Sequence, residues 1–157
     1  MDDIVIARAL HVLAIVHWIG GVAFVTAVML PAVAALAEPS RRLATFEEIE
    51  GRFSFQAKFS VTLAGLTGFY MTYRLDAWDR FADLSFWWMH AMVALWALFT
   101  FVLFVAEPLF LHVWFHESAQ SDPNGIFTTV QRIHWILLTL LVVTVGGAAL
   151  GAHGLLF

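Results

Sequence analysis

The stretch 9-ALHVLAIVHWIGG-21 is apolar at almost every position, yet it carries His11 and His17. No charge interrupts it, and the apolar run continues on both sides from about Ile4 to Leu36. A run of that length exceeds the roughly 20 residues that a helix needs to cross the hydrocarbon core of a bilayer. It does not have the form of a cleaved secretory leader. Asp2 and Asp3 stand where basic residues would be, and no small-residue cleavage pattern follows. The stretch reads as a permanent membrane helix with two imidazoles in it.

Composition carries that reading to the whole chain. Of 157 residues, 61% are hydrophobic and 13% charged. A soluble domain carries about 25% charged residues, so charge this sparse cannot coat a water-facing surface. The net charge of −4 and the lack of a basic tract exclude a nucleic-acid partner. There is no cysteine, which removes disulfides, thiolate ligands and iron–sulfur clusters. Too little chain lies outside the apolar runs for a soluble catalytic domain, so any chemistry belongs to the helices or their rims.

Three further apolar stretches follow, and together the four predict helices over about 4–36, 53–75, 84–116 and 126–151. Helices satisfy their backbone groups internally, which a bilayer demands. The expected fold is all-α: one transmembrane domain, an integral membrane up-down four-helix bundle. "AEPSRRLATFEEIEGR" reads as a polar first loop whose "TFEEIEGRF" part is amphipathic and interfacial. "RLDAWDRFAD" is a short second loop, and "ESAQSDPNG" has the Asp-Pro and Asn-Gly chemistry of a turn. Pro108 is expected to kink the end of the third helix, because it lacks a backbone N–H.

Four spans put both termini on one side, side A, with Arg8, Arg74 and Arg80. The other side, B, holds Arg41, Arg42, Arg52, Lys58 and Arg132. The positive-inside rule then places side B in the cytoplasm and the termini on the outer, periplasmic face of a bacterial inner membrane. Arg74, Asp76, Asp79 and Arg80 read as a mutually paired rim loop. Lys58 and Arg52 read as snorkelling to the side B surface. Trp78, Trp87, Trp88 and Trp114 fall near helix ends, as an interfacial aromatic belt would. Trp18 and Trp135 lie deeper and each follows a histidine; they read as core, with packing against a planar ligand as the alternative, and Trp18 is a candidate cofactor contact. Gly20, Gly21, Gly65, Gly68, Gly147 and Gly151 read as sites of close helix packing.

Seven histidines in such a chain are expensive, and an ionisable group inside a span is by default a functional-site hypothesis. Helix rise puts His11 and His90 at a similar depth, each about 10 Å inside side A. The first and third helices of an up-down bundle are diagonal neighbours. That spacing suits a flat macrocycle held between two axial imidazoles, as in a bis-histidine haem b. Arg74 or Arg80 would then hold a propionate. His17 lies about 120° around the helix from His11 and deeper. It comes to a depth similar to that of His134, so a second site there is open: a metal ion, a hydrogen-bonded pair or part of a ligand cavity. His112 and His116, four residues apart, share a face near Glu107, where copper or zinc is the alternative to two interfacial histidines. His153 reads as solvated.

These residues resemble a known family. "ALHVLAIVHWIGG" is similar to the opening helix of the HemJ-type protoporphyrinogen oxidases and of the copper-resistance D (CopD) membrane domains, through His11, Trp18, Gly20 and Gly21. "WWMHAMVALW" resembles the third-helix W-x-H-A-K pattern of the HemJ type through Trp88, His90 and Ala91. The resemblance implies a four-helix membrane protein with haem b, with His11 and His90 as the functional histidines. It also implies oxidation of protoporphyrinogen IX to protoporphyrin IX. The chain departs from the pattern at Met92, where that family has lysine. It departs again in the fourth helix, where "QRIHWILLT" lacks the N-E-x-P motif. His17 is not part of the pattern.

Three functions fit the sequence. The first is a haem b-binding redox or porphyrin-handling protein, with quinone or porphyrinogen as its partner. The second is a copper-handling protein using His17, His134, His112, His116 and a methionine such as Met29 or Met92, since thioether and imidazole suit Cu(I). The third is a structural subunit of a larger membrane complex or homo-oligomer.

Overall fold

A computed structural model describes residues 2–154, apart from the side chains of Pro39, His112, Gln120 and Pro123. All regular elements among the described residues are helical. The α-helices are α1 (Asp2–Phe24), α2 (Leu30–Ala34), α3 (Pro39–Arg74), α4 (Trp87–Phe101), α5 (His112–Ser121) and α6 (Pro123–Ala152), and two short 3-10 helices, Trp78–Ala82 and Leu84–Phe86, link α3 to α4. Two π-helical segments, Val25–Met29 and Val102–Leu111, join α1 to α2 and α4 to α5. Each contains the carbonyl four residues before a proline, Pro31 or Pro108. A proline ring clashes with that carbonyl and leaves it without its N–H partner. A wider π turn relieves the clash, so helical structure continues past each proline, at Pro108 through the place where the sequence predicts a kink.

Among the described residues, three helices are long and apolar enough to cross a membrane: Asp2–Ala34, Leu84–Leu111 and Asn124–Ala152. This is consistent with an integral membrane protein. α3 is not among them, because its second half carries Ser54, Gln56, Lys58, Ser60, Thr62, Thr67 and Thr72. Its first half replaces the expected polar loop. Leu43, Phe46, Ile49 and Phe53 recur at helical spacing, and that stripe packs into a side B core of Val25, Met29, Leu30, Val33, Phe115, Ala119, Ile126, Phe127 and Val130. Phe46 lies 4.5 Å from Phe115 and 5.8 Å from Phe127, centroid to centroid. Asp122 then starts α6 by accepting the Gly125 N–H at 2.9 Å.

Packing partners fix direction. α1 runs antiparallel to α3, since Asp3 meets Arg74, His11 meets Ala64, and His17 meets Ser60. α3 runs antiparallel to the α4 rod, through Trp96 on Val61 and Glu107 on Ser54. α6 returns beside α1, with Gln131 donating to the Thr26 carbonyl and Leu141 packed with Trp18 and Val22. The glycines at helical spacing receive aromatic rings more than backbones. A Cβ would collide with Phe53 at Gly21, Trp96 at Gly65, Trp87 at Gly147 and Trp88 at Gly151. Trp88 is thus only 5% exposed and not part of a surface belt, whereas Trp78 and Trp114 are about half exposed. Trp135, read as core, is exposed.

Candidate functional site

The side B end is filled by its aromatic core, and the side A half is hollow. A cavity of about 530 Å³ lies there, within the range of roughly 300–1,000 Å³ typical of small-molecule and cofactor sites. Its walls include His11 and Trp18 from α1, Gly65, Gly68 and Met71 from α3, and Met89, Met92 and Trp96 from α4. Ala148, Ala149 and Ala152 of α6 close another side, and Arg80 stands at the side A rim. The lining is overwhelmingly apolar and aromatic. Trp96 holds its wall by donating Nε1–H to the Val61 carbonyl at 3.0 Å.

His11 is half-buried in that wall, with its ring against Gly68. Its Nδ1 lies 2.9 Å from the Ala64 carbonyl oxygen, which can only accept, so Nδ1 carries the proton. Thr67 Oγ1 sits 3.0 Å from the same nitrogen, and its own hydroxyl donates to Leu63 O at 2.6 Å. The neutral ring therefore keeps its lone pair on Nε2. Metal-ligating histidines use this arrangement: the distal N–H is tied to a carbonyl, and that bond fixes tautomer and ring orientation.

His90 is at the expected depth but turned away. Trp96 is level with Val61, so six residues toward side A His90 is level with Thr67, beside His11. Yet it does not line the cavity. Its Nε2 lies 3.0 Å from Phe81 O, its Nδ1 3.2 Å from Phe86 O, and its ring meets Phe81 edge-on. On a helix it sits about 160° from Met92, which does line the cavity. The expected diagonal imidazole pair is therefore not assembled around this cavity.

The second expected pair is also apart. His17 is exposed and donates to Ser60 Oγ at 2.7 Å, and that hydroxyl donates to Gln56 O at 3.2 Å. His134 donates to Val130 O, one turn back on its own helix, at 2.9 Å. The Thr26–Gln131 bond makes His134 level with about Ala23, some six residues or ~9 Å from His17. Counting residues from each helix's own start does not give this offset, because the first turns of α6 lie in the side B core with Ile126, Phe127 and Val130. His116 pairs with Glu47 at 3.2 Å, and the His112 side chain lies outside the described residues. Met29 is buried in the side B core. Among the described residues, no three histidine or carboxylate side chains converge as for a metal ion. His153 is exposed and bonds back to Ala149 O at 2.7 Å.

The charged groups separate as well. Arg74 belongs to an ion pair with Asp3 at 2.7 Å, joined by Tyr70 Oη at 2.8 Å, and does not line the cavity. Arg80 does, with its guanidinium 5.4 Å from the Phe86 ring centroid. Arg74, at the end of α3, is thus tied to α1, and within the loop the Asp79 carboxylate accepts the Arg80 backbone N–H at 3.0 Å. Lys58, expected at the surface, reaches 3.4 Å from Glu107, which also accepts from Ser54. Met71, Met89 and Trp96 are cavity residues that the sequence reading passed over. Their only signal was helical spacing from His11's partners and from Met92, which does not reveal a cavity.

Comparison with protein-family models, with curated proteins and with solved structures finds no match.

Proposed function

We propose that this protein is a four-helix, up-down membrane bundle that binds haem b in the side A cavity, with His11 as an iron ligand, and that it transfers electrons. One observation carries the reading: His11 Nδ1–H is tied to the Ala64 carbonyl, which leaves an Nε2 lone pair on the wall of an apolar, aromatic cavity. The residues fit the group. Trp18, Trp88 and Trp96 supply flat apolar walls, and Arg80 at the rim suits a propionate. Haem, when bound, supplies a one-electron couple whose potential depends on its axial ligands and on burial. The chain's own residues hold and orient it and keep water out. The fourth span in this reading is the second half of α3. Its hydroxyls bond within the helix or to neighbours, as Thr62 to Lys58 O and Thr67 to Leu63 O. The location is a bacterial inner membrane with both termini outward, and the electron partner is a quinone or a porphyrinogen.

The test is the optical spectrum of protein purified in detergent after expression with ample haem. A Soret band that shifts on reduction is expected, and it should vanish in His11→Ala. His17→Ala and His134→Ala should keep it. A colourless wild-type protein sinks the proposal.

A second reading has one specific observation behind it. Met71, Met89 and Met92 line the same cavity as His11. Thioethers with one imidazole form a soft donor set suited to Cu(I). Metal analysis separates the two: copper without iron favours this one.

A further inference from the structure

We infer that the second axial ligand of the bound haem is a thioether from the Met89–Met92 pair on α4, and not His90. The inference rests on the haem reading above.

Register supplies the first argument. Trp96 donates to Val61 O, and α3 and α4 are antiparallel. Four residues toward side A, Met92 comes level with Gly65. Three more bring Met89 level with Gly68. His11 is held between Ala64 and Thr67 and rests on Gly68. Both methionines thus stand at the height of the His11 ring.

Facing supplies the second. Met89 and Met92 are three residues apart, about 60° around the helix, and both line the cavity together with His11. α1 packs on α3 and α6, and α4 packs on the same two helices, so α1 and α4 face each other across the hollow. A flat group ligated by His11 would present its other face to α4. The α4 residues on that wall are Trp88, Met89, Met92, Val93, Leu95 and Trp96, and only the methionines carry an iron ligand.

The position of His90 supplies the third. Both of its nitrogens oppose carbonyl oxygens of the Phe81–Phe86 segment, at 3.0 and 3.2 Å. Neither nitrogen lies on the cavity wall. Bringing His90 to the azimuth of Met89 would break its bond to Phe81 O and rotate α4 by about 100°. The methionines need no such movement. Met92 offers a soft neutral ligand on that wall. Histidine–methionine ligation raises the potential of a haem relative to a histidine pair.

The experiment uses the full chain, purified with haem, as wild type and as Met89→Leu, Met92→Leu, the double leucine variant and His90→Ala. Leucine conserves volume well enough to keep the fold, and haem content with far-ultraviolet circular dichroism checks each variant. The wild type is expected to be low-spin, with the far-red thioether-to-iron charge-transfer band in its ferric spectrum. The double leucine variant should lose that band, turn high-spin and show a lower midpoint potential. One single variant doing the same names the ligand, and two silent singles with a changed double mean that either serves. His90→Ala should leave the spectrum unchanged. A wild type without the band, or a switch to high spin in His90→Ala alone, overturns the inference while the haem reading stands. Protein that binds no haem overturns both.

Discussion

Adding one methyl group at Gly65 should destabilise the protein far more than the same change at Gly20. A Cβ on Gly65 would overlap the Trp96 indole, lying 2.5 Å from Nε1 and 2.6 Å from Cε2. Carbon atoms pack at about 3.5–4.0 Å, so the ring must move about 1 Å. That displacement breaks the 3.0 Å bond from Trp96 Nε1 to Val61 O. Overpacking costs about 1–3 kcal/mol, and the lost hydrogen bond about 1 kcal/mol. The sum is about 2–4 kcal/mol. Gly20 has nothing within 4 Å of the corresponding position, so Gly20→Ala is the matched control. Reversible unfolding in mixed micelles measures both. A second arm uses Trp96→Leu, which removes the obstructing ring. Gly65→Ala should cost much less in that background, giving a coupling of at least about 1 kcal/mol, as for residues in contact. Equal effects at Gly65 and Gly20, or additive effects of Gly65→Ala and Trp96→Leu, would refute the packing of Trp96 against α3 and with it this wall of the cavity.

Three further outcomes are expected. Phe46→Ala empties the centre of the side B aromatic cluster, where Phe46 is 8% exposed. It should cost about 3–5 kcal/mol of unfolding free energy, and a loss below 1 kcal/mol would contradict a packed side B core. Arg80→Ala should weaken haem retention measured by transfer to an apo-globin acceptor. Arg74→Ala should not, because Arg74 is committed to Asp3 outside the cavity; equal retention in both variants would remove the rim role of Arg80. The Asp83 carboxyl accepts the Ser85 backbone N–H at 2.8 Å, which holds its pKa below the ordinary value. Its folded form therefore gains stability above the unfolded pKa, and loses it as pH falls through the lowered folded value. A carboxyl titration followed by NMR should place Asp83 below the value measured in Ser85→Pro, which removes that N–H; identical midpoints would assign the shift elsewhere.

Length and polarity are quantities that a sequence states directly, and they carried the all-helical fold. The apolar runs around His11, His90 and His134 became helices near the expected residues, with π turns absorbing Pro31 and Pro108. Within "AEPSRRLATFEEIEGR" the amphipathic "TFEEIEGRF" is legible, but the stretch is helix from Pro39 and not a loop, for a physical reason. Its charges outnumber its apolar residues, but Leu43, Phe46 and Ile49 keep helical spacing, and beside Val25–Val33 the core that buries them includes Phe115 and Phe127, some 70 to 80 residues away in the chain. Local polarity cannot register a core supplied from such a distance.

The histidines divide along the same line. Depth follows from counting residues at about 1.5 Å each, so His11 and His90 come out level, as the Trp96–Val61 and His11–Ala64 contacts require. Azimuth does not follow from counting. In a span that is apolar all round, no polar stripe marks which face is inward. Side chains then decide the rotation by size. Gly65, Gly147 and Gly151 accept Trp96, Trp87 and Trp88, and those three rings orient α4. With them seated, Met89 and Met92 face the hollow and His90 faces the Phe81–Phe86 segment. A tryptophan-to-glycine fit between helices thus selects the residues that face the hollow. Under the haem proposal that fit favours a thioether where a histidine motif alone would name His90.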